Sequence, residues 1–327
     1  MVVNAPRFPY DGTVQDLPWT SYARWLRERH GAPVRRVAVD AGFGCPHRTG
    51  GRGAGGCSFC GGGAAGDVGA GAVPRFRGDL EAVRRQVARA LARVPPGTVP
   101  LLFFQAFSGT DAPVEDLARI YDAALELAPF VGLDVATRPD CFDERKAGLL
   151  AAYRARGLDV WVELGLQTSD DRTLGRVNRR HSSADFARAA RAAKEAALGL
   201  GAHVILGLPG EGLAEVRSTA RFLRALGVDA VKIHTLHVVR GSALAREMLA
   251  GEVVPPGTGR QLSDTIAFLE ELDPRVLVMR LVTETSPALL LAPRRACGKA
   301  AFARMLEAEM RRRGTRQGAR ATLVRDR

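Results

Sequence analysis

Three of the five cysteines stand in one glycine-rich stretch, CPHRTGGRGAGGCSFC (residues 45–60), with a histidine two places after the first. Cys45, Cys57 and Cys60 offer soft thiolate ligands, and reducing surroundings keep such thiols free for metal rather than for disulfides. Two chemistries compete for them. With His47 as fourth donor the set can be read as a structural zinc site, although such sites usually draw on two knuckles and His47 is crowded against Cys45. As three thiolates alone it can hold three irons of a [4Fe–4S] cluster and leave the fourth iron open to an external ligand. The embedded GRGAGG satisfies G-x-G-x-x-G, but it runs into Cys57 instead of opening a helix, which argues against a dinucleotide site. Cys141 and Cys297 stand apart and read as packing residues.

The elements around this loop follow a repeating pattern. Apolar runs of strand type, RVAVDA (36–41), VPLLFFQAF (99–107), GLDVAT (132–137), LDVWVELGL (158–166), GAHVILGL (201–208) and GVDAVKIHTL (227–236), alternate with amphipathic stretches at 79–94, 114–128, 183–198 and 213–226. Apolar strands alternating with helices predict an α/β fold, a parallel sheet covered by helices, and six units predict a partial (β/α)6 barrel. The cysteine loop follows the first strand and so falls at the carboxyl end of the sheet, where such folds keep their chemistry. TSYARWLRERHG (20–31) reads as a capped helix inside an N-terminal extension, 1–35. The barrel is read over 36–272, a strand (275–282) and helix (298–314) form a C-terminal extension over 273–315, and the basic tail 316–327 is expected to be disordered.

Within the strands, alternate parity picks out further candidates. Glu163 shares a face with Gly165 and Gln167, and as a buried carboxylate it needs a partner, for which Arg138 of TRPD is the expectation. Lys232 and His234 share one face of the sixth strand and, at a barrel mouth, make a cationic spot for a substrate carboxylate or phosphate. His203 reads equally as a satisfied core histidine, and His237 falls beyond the strand.

The order of these segments makes the resemblance specific. With Phe59 between the last two cysteines, the C-x11-C-x2-C loop is followed by FQAFSGTDAPVEDL, ATRPDCFDE, WVELGLQTSDDRTLGRVNRRH, HVILGLPGE, VKIHTLHVVRGSALA and LLLAP. The series resembles radical S-adenosylmethionine (SAM) enzymes of the YhcC/YtqA group, relatives of the Elongator catalytic subunit. The resemblance implies that Cys45, Cys57 and Cys60 bind a [4Fe–4S] cluster and that SAM chelates its open iron and is cleaved reductively to a 5'-deoxyadenosyl radical. It places Ser108, Gly109 and Thr110 at the SAM ammonium through free backbone groups, Gln167 at the ribose, Arg179 at the methionine carboxylate, and His203 and Ile205 to Gly207 at the adenine. It also implies a tRNA substrate, with conversion of a wobble-uridine carboxymethylaminomethyl group to aminomethyl. Three positions depart from the family pattern: His47 replaces Asn, Arg180 replaces Gly, and TETSPAL (283–289) replaces an acidic-Ala-Pro-basic segment.

The formal net charge of +12 suits anionic partners, here tRNA and an acidic flavodoxin or ferredoxin as electron donor. Of 47 lysines and arginines only Lys146, Lys194, Lys232 and Lys299 are lysine, a skew that also fits compositional drift. No apolar run is long enough to span a membrane and the N-terminus has no signal-peptide pattern, so a cytoplasmic enzyme is expected. The competing readings are a radical SAM enzyme acting on a small molecule or peptide, prompted by TETSPAL, and a zinc-stabilised RNA-binding protein.

Overall fold

The computed structural model describes residues 17–48, 55–61, 79–105, 107–293 and 297–321. The strands are β1 (Val34–Val39), β2 (Val99–Phe104), β3 (Gly132–Thr137), β4 (Asp159–Gln167), β5 (Gly199–Leu206), β6 (Ala230–Thr235), β7 (Val238–Val239), β8 (Leu277–Arg280) and β9 (Leu290–Ala292). The helices are α1 (Tyr22–His30), α2 (Leu80–Leu91), α3 (Val114–Leu125), α4 (Glu144–Ala155), α5 (Asp171–Arg176), α6 (Ser183–Glu195), α7 (Leu213–Ala225), α8 (Ala243–Leu249), α9 (Thr258–Glu271) and α10 (Lys299–Arg312). One parallel sheet runs in the order β1-β2-β3-β4-β5-β6-β8, curled as a partial barrel. Parallel neighbours need long crossovers, and the helices between successive strands supply them.

The alternation in each strand divides the core into two layers. Val37, Val39, Leu102, Phe104, Val135, Val162, Val204 and Ile233 pack outward against helix residues such as Val83, Leu117, Ile120, Phe186, Leu223 and Phe268. Leu101, Phe103, Trp161, Ala230 and Leu277 point inward and pack with Tyr22 and Trp25 of α1. Helix α1 is held by Ser21, whose side chain accepts the Arg24 amide, and by Gly31 at φ 69°. Its Tyr22 and Trp25 meet Trp161 edge-on at 5.4 and 5.5 Å and plug the barrel interior. Gly199 faces that indole so closely that a Cβ would lie 2.4 Å from the ring, which explains glycine there.

The sheet has one more strand than the sequence pattern gave. The stretch expected as an extension, 275–282, pairs in parallel with β6 through Ala230 to Leu277 and Val231 to Val278. Its outer edge is covered by the segment leading into α1, where the Val278 amide donates to the Thr20 carbonyl at 2.7 Å, so no bare edge is left there. The tail expectation is corrected for residues 316–321. Gln317 is buried, its Oε1 accepts from the Thr20 amide, and its Nε2 donates to the carbonyls of Asp273 and Val276. Residues 322–327 of that tail lie outside the described residues.

Candidate active site at the carboxyl end of the sheet

The cysteine loop leaves β1 through Gly42 and Gly44, at φ 72° and 82°, a left-handed turn that glycine adopts without strain. Cys45 and Cys57 are buried, and all three thiols are free of disulfides. The Cys60 thiol hydrogen-bonds Cys57 and, with the Arg179 guanidinium, outweighs burial to hold the Cys57 thiol down at about 5. Cys60, as the donor of that bond and with its thiol desolvated, is pushed well above the usual thiol range. Arg179 Nη1 lies 3.6 Å from Cys57 Sγ, Nη2 donates to the Gly165 carbonyl at 2.8 Å and Nε donates to His181 Nε2 at 2.9 Å. Burial beside Arg179 pushes His181 down to about 3, so its imidazole is neutral and free to accept. Arg179 is therefore a buried arginine fixed at three nitrogens, not an exposed helix residue.

The loop is fastened to the turn after α5. His47 Nε2 donates to the Asn178 carbonyl at 2.7 Å, the Asn178 side chain donates to the Gly56 carbonyl at 2.8 Å, and the Ser58 amide donates to the Val177 carbonyl at 2.9 Å. The first of these bonds engages His47 through Nε2 and ties it to the Asn178 turn. Among the described residues no three His, Cys, Asp or Glu side chains converge as one metal ion would need. Phe59 packs into an apolar cluster with Val177, Leu208, Leu236 and Leu244, and α8 hangs on the loop through the Leu244 amide and the Ser58 carbonyl at 2.8 Å.

Three expectations need correction. Arg138 does not meet Glu163: its Nε binds Asp140 Oδ1 at 2.8 Å and its Nη2 donates to the Arg179 carbonyl at 2.9 Å, so it braces the Arg179 turn. The backbone at Ser108 and Gly109 is not free. The Ser108 amide donates to Gly44, the Gly109 amide to Ala136, and the Gly109 carbonyl accepts from the Tyr121 hydroxyl at 2.8 Å. The Ser108 and Thr110 hydroxyls converge on Thr137 Oγ1 at 2.8 and 2.7 Å, so this triplet ties the ends of β2 and β3 together.

The third correction concerns Lys232. It is buried inside the barrel rather than at its mouth, with Nζ 2.8 Å from Glu163 Oε2 and 4.6 Å above the Phe103 ring. Glu163 is the hub of the interior: Arg36 Nη1 lies at 2.7 Å and His203 Nε2 at 2.5 Å, while Arg36 Nη2 also reaches Asp134 at 2.8 Å. Against the upward push of burial, Arg36, Lys232 and His203 hold the Glu163 carboxyl well below its ordinary range. Burial and the Glu163 charge push Asp134 the other way. Burial and Lys232 bring His203 down to about 4, and burial with His203 holds His234 well below its ordinary range. The two imidazoles face each other at 5.6 Å, and His234 Nδ1 lies 3.4 Å from Thr283 Oγ1.

The remaining candidates divide. Gln167 ends β4 at φ 75° beside Gly165, and Gly207 at φ 88° is packed so tightly that a Cβ would lie 2.5 Å from Pro256. Ile205 is partly buried against the cluster that receives Phe59. His237 pairs with Thr285 at 2.9 Å, which places TETSPAL against the end of β6. Sequence reasoning missed Arg36 and Asp134; Asp134 is a lone charge in an apolar strand, the signal that had found Glu163 and Lys232, whereas Arg36 is masked by the adjacent Arg35. It also missed Asn178 and His181, whose roles depend on contacts distant in sequence.

Thiols at the carboxyl end of a curled parallel sheet, with arginines packed beneath them, define a class. Residues 42–223 match the Radical SAM superfamily and residues 228–312 the Radical_SAM C-terminal domain; the chain belongs to the radical SAM superfamily, enzymes that use a [4Fe–4S] cluster and SAM. Among individual proteins it is similar to YhcC of Escherichia coli strain K12, 36% identical over 275 residues covering 82% of this chain and 84% of YhcC. It is also similar to YtqA of Bacillus subtilis strain 168, 30% identical over 318 residues covering 97% of this chain and 96% of YtqA. Among solved structures, archaeal Elp3 of Methanocaldococcus infernus with an N-terminal deletion superposes with a TM-score of 0.64 at 18% identity. The match covers 87% of this chain but 64% of the Elp3 chain, and it is a likeness of fold.

Proposed function

We propose that this chain is a cytoplasmic radical SAM enzyme acting on tRNA, in which Cys45, Cys57 and Cys60 hold the [4Fe–4S] cluster and the face formed by Gln167, Arg179 and His203 receives SAM. The observation that carries the site assignment is the Arg179 guanidinium on Cys57 Sγ. The donor set fits the cluster: three thiols, one held down as a thiolate, with a fixed positive charge against it and the Nε2 of His47 engaged on Asn178. Cys45, Cys57 and Cys60 would hold the cluster, and cluster and SAM, when bound, would supply the one-electron reductive chemistry of this superfamily. The chain's own part is to position and to exclude water. Arg138 and Asp140 brace the turn that carries Arg179, neutral His181 orients its guanidinium, and α1 with Trp161 closes the barrel interior.

The tRNA reading is supported by the net charge of +12, and a carboxymethylaminomethyl-to-aminomethyl change at a wobble uridine is the reaction that the sequence resemblance implies. An acidic flavodoxin or ferredoxin suits the same basic surface as electron donor. Among the described residues no helix is long and apolar enough to cross a membrane. Anaerobically purified protein is expected to be brown with about four irons per chain, and Cys57→Ala to lose both colour and SAM cleavage. A colourless protein with one stoichiometric zinc overturns the assignment. Mass spectrometry of tRNA nucleosides from a deletion strain tests the substrate, and an unchanged wobble uridine moves it to a small molecule or peptide.

A further inference from the structure

His47 and Arg180, 133 residues apart in sequence, converge on one residue. His47 Nε2 donates to the Asn178 carbonyl at 2.7 Å and Arg180 Nε donates to Asn178 Oδ1 at 2.7 Å. The Asn178 amide is thereby oriented to donate to the Gly56 carbonyl at 2.8 Å, and the Gly56 amide returns to the His47 carbonyl at 3.3 Å. Asn178 and Arg180 both hold left-handed backbone, φ 53° and 62°, and the residue between them is Arg179, whose guanidinium meets Cys57. A left-handed arginine is strained where glycine is not; here its side chain is spent on orienting the asparagine.

We propose that His47, Asn178 and Arg180 form a lock that assembles the cysteine loop and sets Arg179 against Cys57 before any cluster is bound. They are positioning residues: none touches a thiol, and each acts through the turn that presents Arg179. The lock closes a ring from the loop to the turn and back, so the chain between Cys45 and Cys57 is anchored at His47 and Gly56 whatever the path between them. Its relevance to cluster assembly rests on the reading of the three cysteines as cluster ligands, but its existence does not.

Hydrogen exchange of the metal-free full-length chain tests it. The Gly56 and Ser58 amides should be protected in the native chain, and His47→Leu, which fills the space without a donor, should speed their exchange about tenfold while β4 and β5 amides hold. His47→Gln, whose amide nitrogen reaches the Nε2 position, should restore protection; a residue needed only for its bulk gives the opposite ranking. If His47→Leu does not fold, Asn178→Gly, which tolerates the left-handed backbone and removes both side-chain bonds, should speed the same two amides. Native-like exchange in His47→Leu or Asn178→Gly, or failure of His47→Gln to restore protection, overturns the lock. Reconstitution with ferrous iron and sulfide then reads the consequence, with His47→Leu retaining several-fold less iron than the native chain and His47→Gln recovering it. If the native chain itself takes up no iron while the exchange ranking holds, the cluster reading fails and the lock stands.

Discussion

Glu163 shows how one buried residue can dominate a barrel interior. Its carboxylate receives Arg36, Lys232 and His203 within 2.5–2.8 Å, and both Arg36 and Lys232 also lie 4.6 Å from the Phe103 ring. Removing one partner from a buried ion cluster leaves the others uncompensated, at a cost of about 3–5 kcal/mol. Glu163→Ala strands two cations and should lose that much stability in urea unfolding. Lys232→Met leaves Glu163 with Arg36 and His203 and should cost less, and the double variant should fall short of the sum of the singles, the mark of direct coupling. Additive costs would show Lys232 and Glu163 to be energetically independent. In sequence the parity of Glu163 and Lys232 was legible, since each is a charge inside an apolar strand. Their partnership was not, because strand order and register decide which inward charges meet, and Lys232 therefore read as a substrate anchor at the barrel mouth.

At the scale of elements, alternating strands and helices gave the parallel sheet and the place of the cysteine loop, because period and turn chemistry are local. The last strand was misplaced because its partner in the sheet order, β6, is separated from it by β7, α8, α9 and the turns around them. α8 spans only seven residues, and α9, fourteen residues with a glycine in its first turn, also went unread. The turn from β5 to α7 carries a second kind of hidden feature. Burial, against hydrogen bonds from Thr168 and Thr173, pushes the Glu211 carboxyl up to about 7. A carboxyl whose folded value is raised favours the fold while protonated, and that contribution is lost as pH rises from its unfolded range through about 7. Glu211→Gln, which keeps the shape and an acceptor oxygen, should therefore raise the melting temperature at pH 8.5 and leave it unchanged at pH 5. The gain should be on the order of 1–3 kcal/mol. An equal effect at both pH values would mean that the carboxyl is not titrating in this window.

For the whole molecule the informative quantity is where the charge lies, not its sum. Many arginines are spent locally, as in the pairs Arg24–Glu28, Arg156–Asp122, Arg176–Glu247 and Arg312–Glu309, so a net charge of +12 does not by itself define a binding face. The basic tail is partly folded, with Gln317 bonded to Thr20, Asp273 and Val276. Cutting at residue 311 would damage the fold as well as any interface. A fairer test compares two exposed arginines at opposite ends of the parallel sheet. Arg240 follows β7 at the carboxyl end, and Arg93 sits in the turn from α2 into β2 at the amino end. If tRNA docks over the cysteine loop, Arg240→Glu should weaken tRNA binding and flatten the log–log salt dependence by about one phosphate contact, a slope change of about 0.7–0.9. Arg93→Glu changes the net charge equally and should leave both nearly unchanged. Equal losses from the two variants would mean that the positive charge attracts RNA without orienting it, and the docking face would have to be sought elsewhere.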